Sequence, residues 1–230
     1  MKNAAGRNPP GAGKWRIRES RACFRRIPPH SKIIPLPVAN PHHAEQPAAT
    51  GSGPWLERRY FIDVARPRLT PSQLMAEVQA DVARFAPELL ADFQKKEGSE
   101  NGLRVGEEFE ITILGPWNGC VRVTEVGATF FEFITLEGHP EAGRIHFEAH
   151  YLDESPDVLR FEIRSRARSR DGLVAFAYNT TGIGKRVQEA TWVEFCRRVA
   201  AASGGQALSD VTVETHTQNE TGSHDHERHA

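Results

Sequence analysis

Arg144-Ile145-His146-Phe147-Glu148-Ala149-His150-Tyr151 and Leu159-Arg160-Phe161-Glu162-Ile163-Arg164 alternate polar and apolar side chains without a break. Side chains along a strand point to opposite faces with period two, so each run buries one face and wets the other. That pattern belongs to antiparallel sheets; parallel strands, covered on both sides, read as continuous apolar runs. Asp153–Asp157 supplies the turn between the two runs. This hairpin is expected to set Glu148 opposite Arg160 and His146 opposite Glu162, both favourable cross-strand pairs. A register one residue off would expose Phe147 and Phe161.

Working outward, the same alternation recurs. Phe109, Ile111 and Ile113 alternate with Glu108, Glu110 and Thr112. Gly115-Pro116-Trp117-Asn118-Gly119 is turn chemistry, and Val121 and Val123 resume the pattern. Phe130–Leu136 is a largely apolar strand, and Leu56–Val64 reads as the first strand. Between them, Thr70-Pro71-Ser72-Gln73 has the form of a helix start, with Thr70 as cap, Pro71 in the first turn and Gln73 three after the cap. Leu74, Val78, Val82 and Phe85 follow on one helical face. Pro87 ends that helix, and Glu88–Phe93 is expected to add a second short helical turn. From Ile183 onward Trp192, Phe195, Cys196 and Val199 recur at helical spacing, and Gly204-Gly205 stops the helix.

A curved sheet with one apolar face needs a cover, and the long C-terminal helix is the obvious one. The expected fold is therefore α+β: a curved antiparallel sheet of about six strands packed on a long C-terminal helix, with two short helices after the first strand. This order resembles the helix-grip arrangement of START-like domains, in which the space between sheet and helix is often a cavity.

The flanks read differently. The chain has 230 residues and a formal net charge of -1. Residues 1–54 carry nine Lys or Arg against two acids and hold nine of the fifteen prolines. Scattered apolar residues cannot offset the backbone entropy of ordering such a segment, so 1–54 is expected to be disordered, basic and Pro-rich. Two further readings stay open for it: a nucleic-acid arm, or a stretch ahead of the true start. Residues 205–230 hold five acids, one arginine and four histidines and are expected to form a disordered acidic tail. The expected domain is 55–204. No apolar run approaches the roughly 18 residues that cross a bilayer. Cys23, Cys120 and Cys196 form no close pair, which excludes a disulfide scaffold and a CxxC zinc module. These cysteines, with no secretory signal, point to the cytoplasm.

Thr135-Leu136-Glu137-Gly138-His139-Pro140-Glu141-Ala142-Gly143, followed by Ile145-His146-Phe147, resembles the central signature of the uncharacterised family called domain of unknown function 1990. The Gly106 strand, the Trp117 loop and the Gln188-bearing helix fit it less specifically. The likeness spans roughly residues 56–203. It departs at Arg144-Ile145, where the family tends to carry acids. The resemblance implies a START-like helix-grip fold and brings no activity with it.

His139 and Glu141 sit in a Gly-bounded loop, and a His–Glu pair facing a pocket can perform general acid/base chemistry. The competing reading has Gly138 and Gly143 shaping a tight turn that His139 caps. His146, Glu148 and His150 share one strand face, where two can chelate a metal, but a third ligand is not identifiable and no metal or cofactor is expected. Arg164, Arg166, Arg168 and Arg170 alternate on a strand end, yet intervening acids, a net-negative domain and missing aromatics argue against nucleic acid. The favoured function is binding of a small hydrophobic ligand, with Trp117, Phe131, Phe133, Phe147, Tyr151, Phe161 and Trp192 as candidate lining. One alternative is an enzyme using His139 and Glu141 for proton transfer on such a ligand. The other is a protein-interaction domain with a filled core, whose partners stay open.

Overall fold

A computed structural model of the chain describes residues 43–87, 91–95, 102–113, 119–171 and 183–218, with the backbone alone for 91–95, 112–113 and 183–188. After a 3-10 turn at Ala48–Thr50 come β1 (Ser52–Ala65), α1 (Pro71–Ala80), α2 (Val82–Phe85), β2 (Ala91–Lys95) and β3 (Glu108–Ile113). β4 (Gly119–Val126), β5 (Phe130–Thr135), β6 (Glu141–Leu152) and β7 (Ser155–Ser169) follow. α3 (Ile183–Ala202), β8 (Gln206–Ala207) and β9 (Thr212–Gln218) complete the order. The strands form one antiparallel sheet in the order β2-β3-β4-β5-β6-β7-β1, with β8 and β9 both on the far edge of β1. α3 packs on β1 and β7, giving the helix-grip arrangement.

The apolar parity read from the sequence is the buried face. Tyr60, Ile62 and Val64 of β1, Phe131 and Phe133 of β5, Phe147 and Ala149 of β6, and Phe161 and Ile163 of β7 all point inward. Trp192, Phe195, Cys196 and Val199 of α3 close over them. Thr70 forms a full capping box with Gln73, which satisfies two otherwise orphaned helix amides. Among the described residues, no helix is long and apolar enough to cross a membrane.

Four expectations are corrected. Among the described residues the sheet has nine strands rather than about six. The helix breaks at Asp81, whose carboxylate caps the Arg84 amide and starts α2, well before Pro87. Residues 91–95, of which 91–93 were expected in a helical turn, pair with β3 as a strand. In the β6–β7 hairpin, Glu148 faces Glu162 and His150 faces Arg160, a register two residues away from the expected one. Leu152 pairs with Ser155, and the ladder resumes only at Tyr151–Leu159. Pro156 has no N–H to give the ladder, which suits the irregularity there. The observed ladder is the one a five-residue Asp153–Asp157 loop gives, with 152 level with 158 and 148 with 162; the expected pairs miscount that loop by two residues, a displacement that keeps every side chain on its face.

The flanks also differ from their reading. Residues 43–51 are structured ahead of Pro54, with Glu45 bridging Leu136. Residues 206–207 and 212–218, expected in a solvated tail, add strands to β1. They are mostly exposed, so backbone pairing does most of the seating, helped in β9 by Val213, which packs half-buried against the core, and by Glu214 on Arg59.

Candidate functional site

Gly138 sits at φ +94° in the turn between β5 and β6, a conformation that glycine adopts without a Cβ penalty. The turn closes with the His139 amide donating to the Leu136 carbonyl at 3.0 Å. The His139 ring then folds back on its own backbone: the Glu141 amide donates to Nδ1 at 3.0 Å, and the Glu141 carbonyl lies 2.9 Å from the same nitrogen. A Cβ on Gly119 would run into that ring, so the imidazole lies directly against the start of β4. Burial holds the ring below the ordinary histidine pKa range. His139 therefore sits neutral, in the geometry of a turn cap.

A second residue pins this turn from outside it. The Gln46 side chain donates to the carbonyls of His139 and Glu141 at 2.9 and 3.0 Å and accepts from the Gly138 amide at 3.2 Å. Its backbone carbonyl accepts from Thr135 Oγ1 at 2.9 Å, and that hydroxyl in turn accepts from the Gly143 amide. Sequence reading missed Gln46, because it lies in a Pro-rich stretch without periodicity and acts across 93 residues of chain.

Glu141 turns its carboxylate the other way, to Arg58 at 3.2 Å, with only 8% and 11% of the two side chains exposed. Arg58 shares the parity of Tyr60, Ile62 and Val64, so it points to the covered side of the sheet. Tyr60 is next on that face, and burial pushes its phenol up to about 12, with Glu141 and Glu189 adding to the shift and Arg58 opposing it. The covered face thus carries a small polar cluster of Arg58, Tyr60 and Glu141 in an otherwise apolar interior. A usable signal existed: Arg58 is a charge at a position that the alternation of β1 assigns to the core.

The aromatic candidates lie around that interior and touch each other. Phe131 and Phe147 stack with centroids 4.5 Å apart, and Phe133 meets both edge-on. Trp192 meets Phe147 edge-on at 5.6 Å. Phe195, read from the sequence as part of the helix face but not as a lining residue, joins them, with Phe147 at 5.5 Å and Phe161 at 6.0 Å. Tyr151, by contrast, is 39% exposed near the end of β6. Trp117 lies outside the described residues.

The opposite sheet face carries charge in rows. Glu148 and His150 of β6 and Glu162 of β7 bring ligand atoms within 4.8 Å of one another, and this trio could in principle hold a cation. The third donor comes from the neighbouring strand and replaces His146 of the same-strand trio. Nδ1 of His150 is buried there without a hydrogen-bond partner among the described residues. Both carboxylates already hold guanidinium groups, however: Arg164 on Glu148 at 2.5 Å, and Arg59 on Glu162 at 2.7 Å. Those arginines offset the repulsion of two facing glutamates, and a cation would have to displace them. Nearby, Arg59, Arg144, His146, Arg164, Arg166 and Glu214 line an open groove of about 490 Å³. Arg166 pairs with Glu57 and Arg144 with Glu132, so this face is a mixed ion-pair ladder.

A family model of a domain of unknown function covers residues 44–202, which includes β1 through α3. The chain belongs to the family domain of unknown function 1990. In the chain, β8 and β9 therefore lie beyond the stretch that matches this family. No curated protein matches the sequence. Among solved structures, the chain is similar to the Zhui aromatase/cyclase from Streptomyces sp. R1128, at 13% identity and TM-score 0.48 over 65% of this chain and 94% of that one. It is similar to norcoclaurine synthase from Thalictrum flavum at 9% identity and TM-score 0.47, over 73% and 96%. A hypothetical protein, jhp0584 from Helicobacter pylori, aligns at 10% identity and TM-score 0.45, over 63% and 86%.

Proposed function

We propose that this domain of unknown function 1990 binds a small, largely apolar molecule between the sheet and α3, with Arg58, Tyr60 and Glu141 as its polar contact. The observation that carries this reading is the Arg58–Glu141 pair on the covered face. Arg and Glu are rarely buried, and a buried pair contributes little net stability compared with apolar side chains of the same size. A few convergent polar groups in an apolar interior are what a small-molecule site needs for orientation. Phe131, Phe133, Phe147, Phe161 and Trp192 are the proposed apolar lining.

Native mass spectrometry of the full chain purified from a cell extract tests the reading. A co-purifying small molecule, lost on Glu141→Gln or Arg58→Met, is the expected result. A clean apo mass, joined to the full packing loss for Phe147 described in the Discussion, overturns it.

Two other readings have observations of their own. The direct ring contacts of Phe131, Phe133, Phe147 and Phe195 favour a filled interior and a protein-interaction role. The enzyme reading, in which His139 and Glu141 transfer protons to a bound molecule, has the two residues side by side in one turn, with Nδ1 of His139 on the Glu141 backbone amide and the carboxylate on Arg58. Once a ligand is in hand, His139→Ala separates binding from catalysis: ligand kept with turnover lost means an enzyme.

A further inference from the structure

We propose that β9 is a dimerisation strand that pairs antiparallel with β9 of a second copy of this chain. β9 lies beyond the matched family region and adds to β1 in an unbroken register from Phe61–Thr212 to Trp55–Gln218. Among the described residues, nothing pairs with its other edge. Natural sheets blunt such edges with proline, lysine, bulges or very short strands. Thr212-Val213-Glu214-Thr215-His216-Thr217-Gln218 has none of these devices, and four of its seven residues are β-branched. Its side chains are exposed or half-buried throughout.

The strand is also complementary to itself. In a two-fold antiparallel pair that keeps both apolar sheet faces on the same side, the symmetry centre falls on one residue. Centred on Thr215, Glu214 lies opposite His216 of the second copy, and His216 lies opposite the second Glu214. Thr215 meets Thr215, and Val213 meets Thr217. Moving the centre one residue to Glu214 sets two glutamates opposite each other, and moving it to His216 sets two histidines opposite each other. Opposed like groups are disfavoured, so the charge pattern favours the Thr215 centre over both of its neighbours. Glu214 has room for this contact: its side chain is 43% exposed, with Arg59 3.5 Å away. The pairing would join the two sheets edge to edge, the mode by which exposed strands recruit partners.

Sedimentation of the full chain across a concentration series is the first test, with a mass rising from one chain to two as the expected result. Site-specific cross-linking then checks the register. Directly opposed residues in an antiparallel pair have Cα atoms about 4.5–5.5 Å apart, inside the range a disulfide spans. Thr215→Cys should therefore cross-link into a dimer that reductant reverses. In the same register the two Thr217 positions are offset by four residues along the strands, roughly 13 Å, so Thr217→Cys should not cross-link. The parent chain, with its own cysteines, is the background for both. A mass of one chain at every concentration overturns the proposal, as would a Thr217→Cys variant that links as fast as Thr215→Cys. A dimer that neither variant cross-links overturns the assignment to β9.

Discussion

Phe147→Ala measures how full the interior is, and so separates the ligand-binding reading from the filled-core reading. Phe147 is fully buried and has ring neighbours on several sides: Phe131 at 4.5 Å, Phe195 at 5.5 Å, Trp192 at 5.6 Å and Phe133 at 5.8 Å. Truncating such a ring loses its transfer free energy and leaves a cavity, together about 3–5 kcal/mol. The four aromatic contacts push the expected value to the middle of that range or above, about 4 kcal/mol. For a domain of this size, each kcal/mol moves Tm by roughly 2–4 °C, so the shift should be about 8–16 °C. Urea unfolding gives the cleaner number, because a lower midpoint at unchanged slope reports stability alone. A loss below about 1.5 kcal/mol would refute the packing argument: it would mean that one side of the ring already borders empty space. That outcome would strengthen the case for a ligand cavity.

Three further outcomes are expected. Arg58→Met or Glu141→Met alone should cost about 3–5 kcal/mol, because each leaves a charge buried without the other, whereas the double variant should return close to the parent; two single variants that each cost under about 1 kcal/mol would show that the pair is not energetically buried. For His139, the unfolded chain takes up a proton as pH falls through about 6.5 while the buried ring stays neutral, so stability should drop with falling pH in that window. His139→Asn keeps an acceptor for the Glu141 amide and should flatten that slope in denaturation curves between about pH 7 and 5; an unchanged slope would assign it to other groups. Gly143→Ala should destabilise by about 1–3 kcal/mol, since its Cβ would run into the Arg166 carbonyl and lie 2.6 Å from the Ala167 Cα; a neutral result in thermal melts would show that β6 and β7 can part there at little cost.

The elements visible in the sequence were those written in local periodicity. Alternation in β3, β6 and β7 named Ile111, Phe147, Phe161 and Ile163 as inward residues, because period two depends on a strand's own residues and not on its partner. The face of α3 and the Thr70 capping box were legible for the same reason: their information lies within one or two turns. The candidate site was legible only in part. His139 and Glu141 stood out by their Gly-bounded loop, but the direction of each side chain did not. His139 folds onto its own turn, and Glu141 reaches Arg58, which lies 83 residues earlier in the chain.

The sequence by itself therefore determined which faces are buried, where α1 and α3 start or stop, and that a curved antiparallel sheet needs a helical cover. Tertiary structure alone decided the long-range partners. The β6–β7 register, by contrast, follows from the five-residue Asp153–Asp157 loop, which sets 152 level with 158 and so Glu148 opposite Glu162. Gln46 finds the His139 turn, and β9 finds β1, through backbone groups that every residue carries, so no residue type announces the contact. Arg58 and Glu141 meet inside because the sheet brings two charged side chains onto one covered face, where each offsets the cost of burying the other.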